Sequence, residues 1–278
     1  MQVVDPAEID LKTYDWSQTD IAFIALHGAA GEDGRVQALL DQLGVPYTGS
    51  DPIASQLGMS KSASKERFAQ WNVPTPNYVL FHHSDPETRI AKLADEIRYP
   101  LVVKPNSQGS SLGVTIVRHP SGLHAALQSC FEWEPFGILE SFVPGTEWTV
   151  GLLDDQHLPP ILIETNLEFF DYRAKYEDEA TQYKLVTGFA PEVVRTIEEV
   201  AERAAKSLGT RGLARVDLRL DEANRPWVLE VNTVPGMTSH SLIPKAAAQL
   251  GWSMGELCER AIYAALAGAK RVPWRQSA

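Results

Sequence analysis

An arginine, two carboxylates and an amide recur at two-residue spacing in two short apolar runs, residues 213–218 (LARVDL) and 228–233 (VLEVNT). Side chains two apart on an extended chain share a face. Arg215 and Asp217 therefore point together from the first run, and Glu230 and Asn232 from the second. Between the runs, residues 221–226 (DEANRP) form a polar turn sequence, so the pair reads as an antiparallel hairpin. A turn centred between Ala223 and Asn224 sets Asp217 opposite Glu230 and Arg215 opposite Asn232. Two like charges facing each other are destabilising unless something positive sits between them. Carboxylate and amide oxygens are hard ligands suited to magnesium, an ion that keeps positions open for water and substrate phosphates. A hairpin with a polar outer face is the plainer alternative.

A second group of chemical interest begins at Lys104, the end of the apolar run at residues 100–105 (PLVVKP). The loop that follows, residues 106–113 (NSQGSSLG), offers many backbone N–H groups and little side-chain bulk, which suits phosphate oxygens. A lysine at the strand end adds a point charge for them; a hairpin with a flexible tip is the alternative. Neither a Walker A pattern nor G-x-G-x-x-G occurs, which disfavours P-loop and dinucleotide-binding chemistry. The same loop satisfies G-x-S-x-G, but the β-branched VTIV after it is a strand where a hydrolase needs a helix, so Ser111 is not a nucleophile at an elbow. Glu140 and Glu147 each sit near the end or start of a strand-like run, as acceptors for a ribose hydroxyl or as solvated carboxylates. Lys175 and Tyr176 fall in a charged, aromatic, unperiodic stretch at residues 169–184, which reads as a long functional loop. His27 follows the apolar run at residues 21–26, where ligands of parallel α/β layers bind, with a loop histidine bonded to backbone as the alternative. Residues 236–242 (GMTSHSL) lead into a helix whose exposed N–H groups favour a carboxylate or oxyanion, with Ser241 either adding a hydroxyl or capping the helix.

The elements that must position these groups follow from periodicity. Residues 21–26 read as a strand, 36–43 as a helix, 52–71 as one helical region, and 78–81 as a strand. A helix at 85–98, strands at 100–105 and 114–117, a helix at 121–131 and a strand at 137–142 make a small α+β unit. Paired strands at 147–153 and 158–164 follow, with helices at 191–207, 241–250 and 254–266 around the hairpin. Three domains are expected: 1–49, 50–142 and 143–278. The net charge of -11 argues against a nucleic-acid or anionic-membrane surface, and no run is long enough to span a membrane. Two cysteines, Cys130 and Cys258, are too few and too far apart for a disulfide scaffold or a zinc site and are expected as buried thiols in a cytoplasmic protein.

Taken in order, the stretches at 27–34, 59–61, 103–113, 138–140, 171–176, 215–217 and 230–242 resemble the D-alanine–D-alanine ligases of the ATP-grasp superfamily, across about residues 20–266. The resemblance implies an α/β and α+β ATP-grasp fold with a shortened parallel-sheet N-terminal domain. It implies an enzyme that phosphorylates one D-alanine with ATP and lets the amine of a second displace phosphate. Lys61 and Lys104 then match the lysines on the ATP phosphates, Ser110 the loop that closes over them, Glu140 the ribose contact, and Glu147 and Lys175 further nucleotide contacts. Asp217, Glu230 and Asn232 match the ligands of two magnesium ions, with manganese the alternative. Arg215 and the N–H of Gly236 match the oxyanion donors, Ser241 and Leu242 the site of the second carboxylate, Tyr176 a partner of Ser110, and His27 a residue near the first substrate. The resemblance also implies a homodimer. Members usually begin with a further strand and a loop glutamate that holds the first amine; the expectation here is a start assigned too far downstream, with a remodelled first subsite as the alternative. Ser141 stands where the family often has lysine.

Overall fold

The computed structural model describes residues 1–164, 182–185 and 189–269. The N-terminal layer carries two short helices, α1 (Ala29–Glu32) and α2 (Arg35–Leu43). Its core gathers Ile24, Leu40, Val45 and, from the far end of the chain, Val234. Residues 21–26, expected as a strand, make only an isolated parallel bridge between Ala22 and Tyr47.

The helical region after Ser50 is two helices, not one: α3 (Pro52–Met59) and α4 (Lys61–Gln70). Asp51 caps α3 by accepting from the Ala54 N–H, with proline in the first turn, where its missing donor costs nothing. Ser60 leaves the helical region at φ -91, ψ 108 and caps α4 by accepting from the Ala63 N–H. That break places Lys61 at the first position of a new helix and turns it toward the loop at 106–113.

The first sheet has the order β1 (Tyr78–His82), β4 (Phe136–Ser141), β2 (Leu101–Pro105), β3 (Thr115–Val117), all antiparallel. Helices α5 (Glu87–Ile97) and α6 (Leu123–Phe131) cover one face, burying Phe81, Leu101, Val103, Val117 and Leu139 against Ile90 and Leu127. Alternation sends Val102, Lys104, Ile116 and Glu140 to the opposite face.

The second sheet runs β10 (Pro226–Asn232), β9 (Leu213–Leu220), β5 (Thr146–Leu153), β7 (Ile161–Glu164), β8 (Gln182–Leu185), with β6 (Gln156–His157) on β5. Residues 182–184, expected within a loop, belong to β8 and pair with β7. The long helix α7 (Pro191–Leu208) begins with proline and ends on Gly209 in the left-handed region, φ 77. It packs Val200, Ala201 and Ala204 on Trp148, Val150, Val216, Leu218 and Val228. Helices α8 (Leu242–Gln249) and α9 (Met254–Ala269) cover part of the other face, around Leu153, Leu158 and Leu213. Cys130 is buried in α6, where burial pushes its thiol up to about 12, whereas Cys258 in α9 is only half-buried.

Candidate active site

The β5–β9 register grades that second face from core to site. Leu153 pairs with Leu213 under the helices, then Gly151 with Arg215, Thr149 with Asp217 and Glu147 with Arg219 as the sheet emerges from them. A side chain at Gly151 would meet Ile243 Cδ1 at 2.7 Å, so glycine marks the edge of the helical cover.

The hairpin pairs Glu230 with Asp217 and Asn232 with Arg215, as the sequence implies, but by a different route. The turn is one residue shorter than expected, with Pro226 rather than Trp227 opposite Leu220, and a bulge between Val228 and Glu230 inserts Leu229 and restores the pairing. Leu229 and Glu230, adjacent in sequence, consequently both line the cleft between the sheets.

Asp217 is buried and densely bonded. It accepts from Arg215 Nε (2.9 Å) and Nη2 (2.8 Å), from Thr149 Oγ1 (2.7 Å) and from Asn232 Nδ2 (3.2 Å). Burial disfavours the Arg215 charge, but Asp217 outweighs it and holds the guanidinium above its ordinary range. Glu230 lies 3.6 Å from Lys61 Nζ. Arg215 and Lys61 thus supply part of the positive charge that two facing carboxylates require.

Across the cleft, Lys61 Nζ donates to the Gln108 carbonyl at 2.6 Å, its backbone N–H to the Asn106 carbonyl, and the Ser62 N–H to Asn106 Oδ1. Burial lowers the Lys61 pKa. The start of α4 therefore holds the base of the 106–113 loop, and Glu134 accepts from the Ser107 N–H. Ser110 and Ser111 take positive φ (54 and 57), and Gly113 (φ +68) leaves no room for a Cβ beside Trp133 and Pro105. Ser111 lines the cleft; Ser110 stands beside it in the loop. Lys104 pairs with Glu140 Oε1 at 2.5 Å, and Glu140 Oε2 lies 2.6 Å from Lys65 Nζ. Glu140 is therefore no solvated carboxylate: it is 2% exposed, and burial, which alone would raise its pKa, is overcome by the two lysines, which lower it. Glu147 lines the cleft 3.5 Å from Arg219 Nη1.

The third group meets at the start of α8. A Cβ on Gly236 would stand 2.6 Å from Ser241 Oγ and 3.9 Å from His27 Cε1. Ser241 is not an ordinary cap: its hydroxyl makes no capping bond to α8 but accepts from the Thr238 N–H (3.1 Å) and meets Thr238 Oγ1 (2.9 Å). The Leu242 side chain is buried with Leu158 and Ile243, which leaves its backbone N–H as the group for a ligand to meet. His27 Nδ1 lies 3.6 Å from Glu32 Oε1, which raises the imidazole pKa, and Glu32 also accepts from the Gly28 N–H. Lys175 and Tyr176 lie outside the described residues. Lys65 and Glu32 were not singled out by sequence reasoning; the four-residue spacing from Lys61 was the available signal for Lys65. A separate hollow, bordered by His83, Phe131 and Trp133, brings together none of these groups.

Two antiparallel sheets facing across a cleft, lysines and a glycine-serine loop on one side and carboxylates on the other, define an ATP-grasp enzyme. The D-ala D-ala ligase C-terminus model matches residues 68–263 and the D-ala D-ala ligase N-terminus model residues 4–50. A D-alanine–D-alanine ligase from Synechococcus sp. is 43% identical over 271 residues, covering 96% of this chain and 83% of that one. The crystal structure of D-alanine–D-alanine ligase from Bacillus anthracis superposes with a TM-score of 0.83 at 36% identity, covering 96% of this chain and 86% of that one. The same organism's enzyme complexed with ATP gives 0.79 at 33% identity, covering 90% and 80%. The chain belongs to the D-alanine–D-alanine ligase family.

Proposed function

We propose that this protein joins two D-alanine molecules to D-alanyl-D-alanine with ATP, through an acyl phosphate, for peptidoglycan precursors made in the cytoplasm. No described helix is long and apolar enough to cross a membrane. Family membership supports the reaction, and one observation carries the site: Lys61 and Lys104 face Asp217 and Glu230 across a single cleft. The lysines supply charge for the triphosphate. Val102, Ile116, Phe142 and Val143 supply a dry slot that suits a purine, near Glu140 and Glu147.

Asp217, Glu230 and Asn232 would hold magnesium. Among the described residues no three His, Cys, Asp or Glu side chains form a metal cage by themselves. Two carboxylates and an amide nonetheless fit an ion whose other positions are taken by phosphate oxygens and water. Two such ions, magnesium or alternatively manganese, would neutralise charge on the transferred phosphoryl group. Arg215, fixed by two bonds to Asp217, is a preorganised cation for the oxyanion formed when the amine attacks, together with the Gly236 N–H. The Ser241 hydroxyl and the Leu242 N–H receive the carboxylate of the second D-alanine. His27, paired with Glu32, stands at the first. Ser110, Lys175 and Tyr176 complete this reading as loop contacts, a homodimer is its assembly, and 1–49, 50–142 and 143–278 are its domains.

Phosphate release tests the proposal. Release that needs ATP, magnesium and D-alanine together is the expected result. Release only with other amino or hydroxy acids removes the substrate assignment, and nucleotide binding without release removes the enzymatic one.

A further inference from the structure

Three charged groups meet on the first sheet's cleft side, and only two of them line the cleft. Lys104 and Glu140 line it, whereas Lys65 does not. The Lys65 side chain is fully enclosed, yet its Nζ lies 2.6 Å from Glu140 Oε2. It also donates to Thr75 Oγ1 (2.6 Å) and to the Pro76 carbonyl (3.3 Å), and sits 5.5 Å from the centre of the Tyr78 ring. Thr75 in turn donates to the Val228 carbonyl at 2.8 Å, on the strand that carries Glu230. Burying an ammonium this completely is costly unless every proton finds a partner. Here all the partners lead to one carboxylate and to the connection between the two sheets.

We propose that Lys65 is a positioning residue for nucleotide binding: it holds Glu140 ionised and correctly aimed at the nucleoside while Lys104 is drawn to phosphate. This rests on the reading of the cleft as the ATP site. Lys104 cannot fully serve both Glu140 and a phosphate, because each geometry demands the same ammonium. Lys65 is enclosed beside Thr75, Pro76 and Tyr78, outside the cleft lining, so its ion pair with Glu140 persists in both arrangements. Its hold on Thr75 ties that carboxylate to β10, so the nucleoside end and the metal end of the cleft keep their spacing.

The test is steady-state kinetics on Lys65→Gln, which deletes the charge and keeps a donor, beside Glu140→Gln and the double variant. Lys65→Gln should raise the KM for ATP about tenfold or more, the scale of one lost bond to a charged group, while moving the KM for D-alanine less than about twofold. In the Glu140→Gln background the same change should add little, because the carboxylate it positions is gone. A merely structural lysine would lower Tm and leave the ratio of the two KM values alone, and that result overturns the role. Should Lys65→Gln not fold, Thr75→Val decides: the KM for ATP rises about threefold if Lys65 positions Glu140, and an unmoved value refutes it. Wild-type turnover that does not depend on ATP would defeat the underlying site reading instead, so the two failures are distinct.

Discussion

Glu230 stands opposite Asp217 on the ladder and 3.6 Å from Lys61 Nζ, so in the proposed reading one carboxylate would serve both the cation site and a lysine that meets phosphate. Glu230→Gln keeps the shape and removes the charge. Turnover should fall at least about a hundredfold, the scale of losing a few kcal/mol of charge stabilisation, with Tm nearly unchanged; wild-type-like rates would count against the metal assignment. Gly236 makes a different point, since a methyl there would sit 2.6 Å from Ser241 Oγ. Gly236→Ala should therefore raise the KM for D-alanine by on the order of tenfold to a hundredfold through displacement of that hydroxyl, while the KM for ATP stays put. An unchanged D-alanine KM would separate Ser241 from the substrate. The shared face of Arg215 and Asp217 and their pairing with Asn232 and Glu230 follow from strand period and turn, and could be read from sequence. For Lys65 the four-residue spacing from Lys61 gives the shared helix face but not the partner, a carboxylate from a strand far away in the chain.

The hairpin shows how an element can give the right pairing for an incomplete reason. A turn centred between Ala223 and Asn224 put Asp217 opposite Glu230, but the observed turn is one residue shorter, and only the bulge at Leu229 brings the pairing back. Bulges leave almost no trace in composition, since any residue can occupy one. The break at Ser60 was hidden similarly: residues 52–71 keep a helical pattern across it, and the serine that caps α4 also reads as ordinary helix sequence. The strand expected at 21–26 has the apolar run, but among the described residues it makes only the bridge from Ala22 to Tyr47. What fixes the hairpin turn is Asp221, which accepts from Trp227 Nε1 (3.0 Å), from Arg225 Nε (2.9 Å) and from the N–H groups of Ala223 and Arg225. The Trp227 bond foremost, with those of Arg225, holds its pKa down to about 2, below the ordinary 3.8. A depressed carboxylate stabilises fully above its unfolded value and loses that contribution as pH falls through the folded one. The stability advantage of the wild type over Asp221→Asn should thus be constant above about pH 4 and shrink toward pH 2. Urea midpoints against pH would show this, and a gap independent of pH would mean the turn does not rely on the charge.

At the scale of the whole molecule, the cleft exists because each sheet hides one face under helices and turns its other face toward the partner sheet. Val102, Lys104 and Glu140 face Asp217, Arg219 and Glu230, and no single element owns the site. Direct bonds between the segment 50–76 and the second sheet's unit include Thr75 to the Val228 carbonyl, the Val228 N–H to the Pro74 carbonyl and Arg67 Nε to the Ser207 carbonyl. A nucleotide that bridges lysines on one sheet and metal-bearing carboxylates on the other would add stability that neither half has alone. Binding to the folded state only contributes about 2.7 kcal/mol when ligand is present at about one hundred times its Kd. For a chain of this size that corresponds to an upward shift in Tm of about 5 °C or more. A non-hydrolysable ATP analogue with magnesium should produce that shift, and chelating the metal should remove most of it, because the terminal phosphates would then meet Asp217 and Glu230 unscreened. An equal shift with and without magnesium, followed by differential scanning calorimetry, would place the nucleotide on the lysine side alone and detach the hairpin carboxylates from its binding.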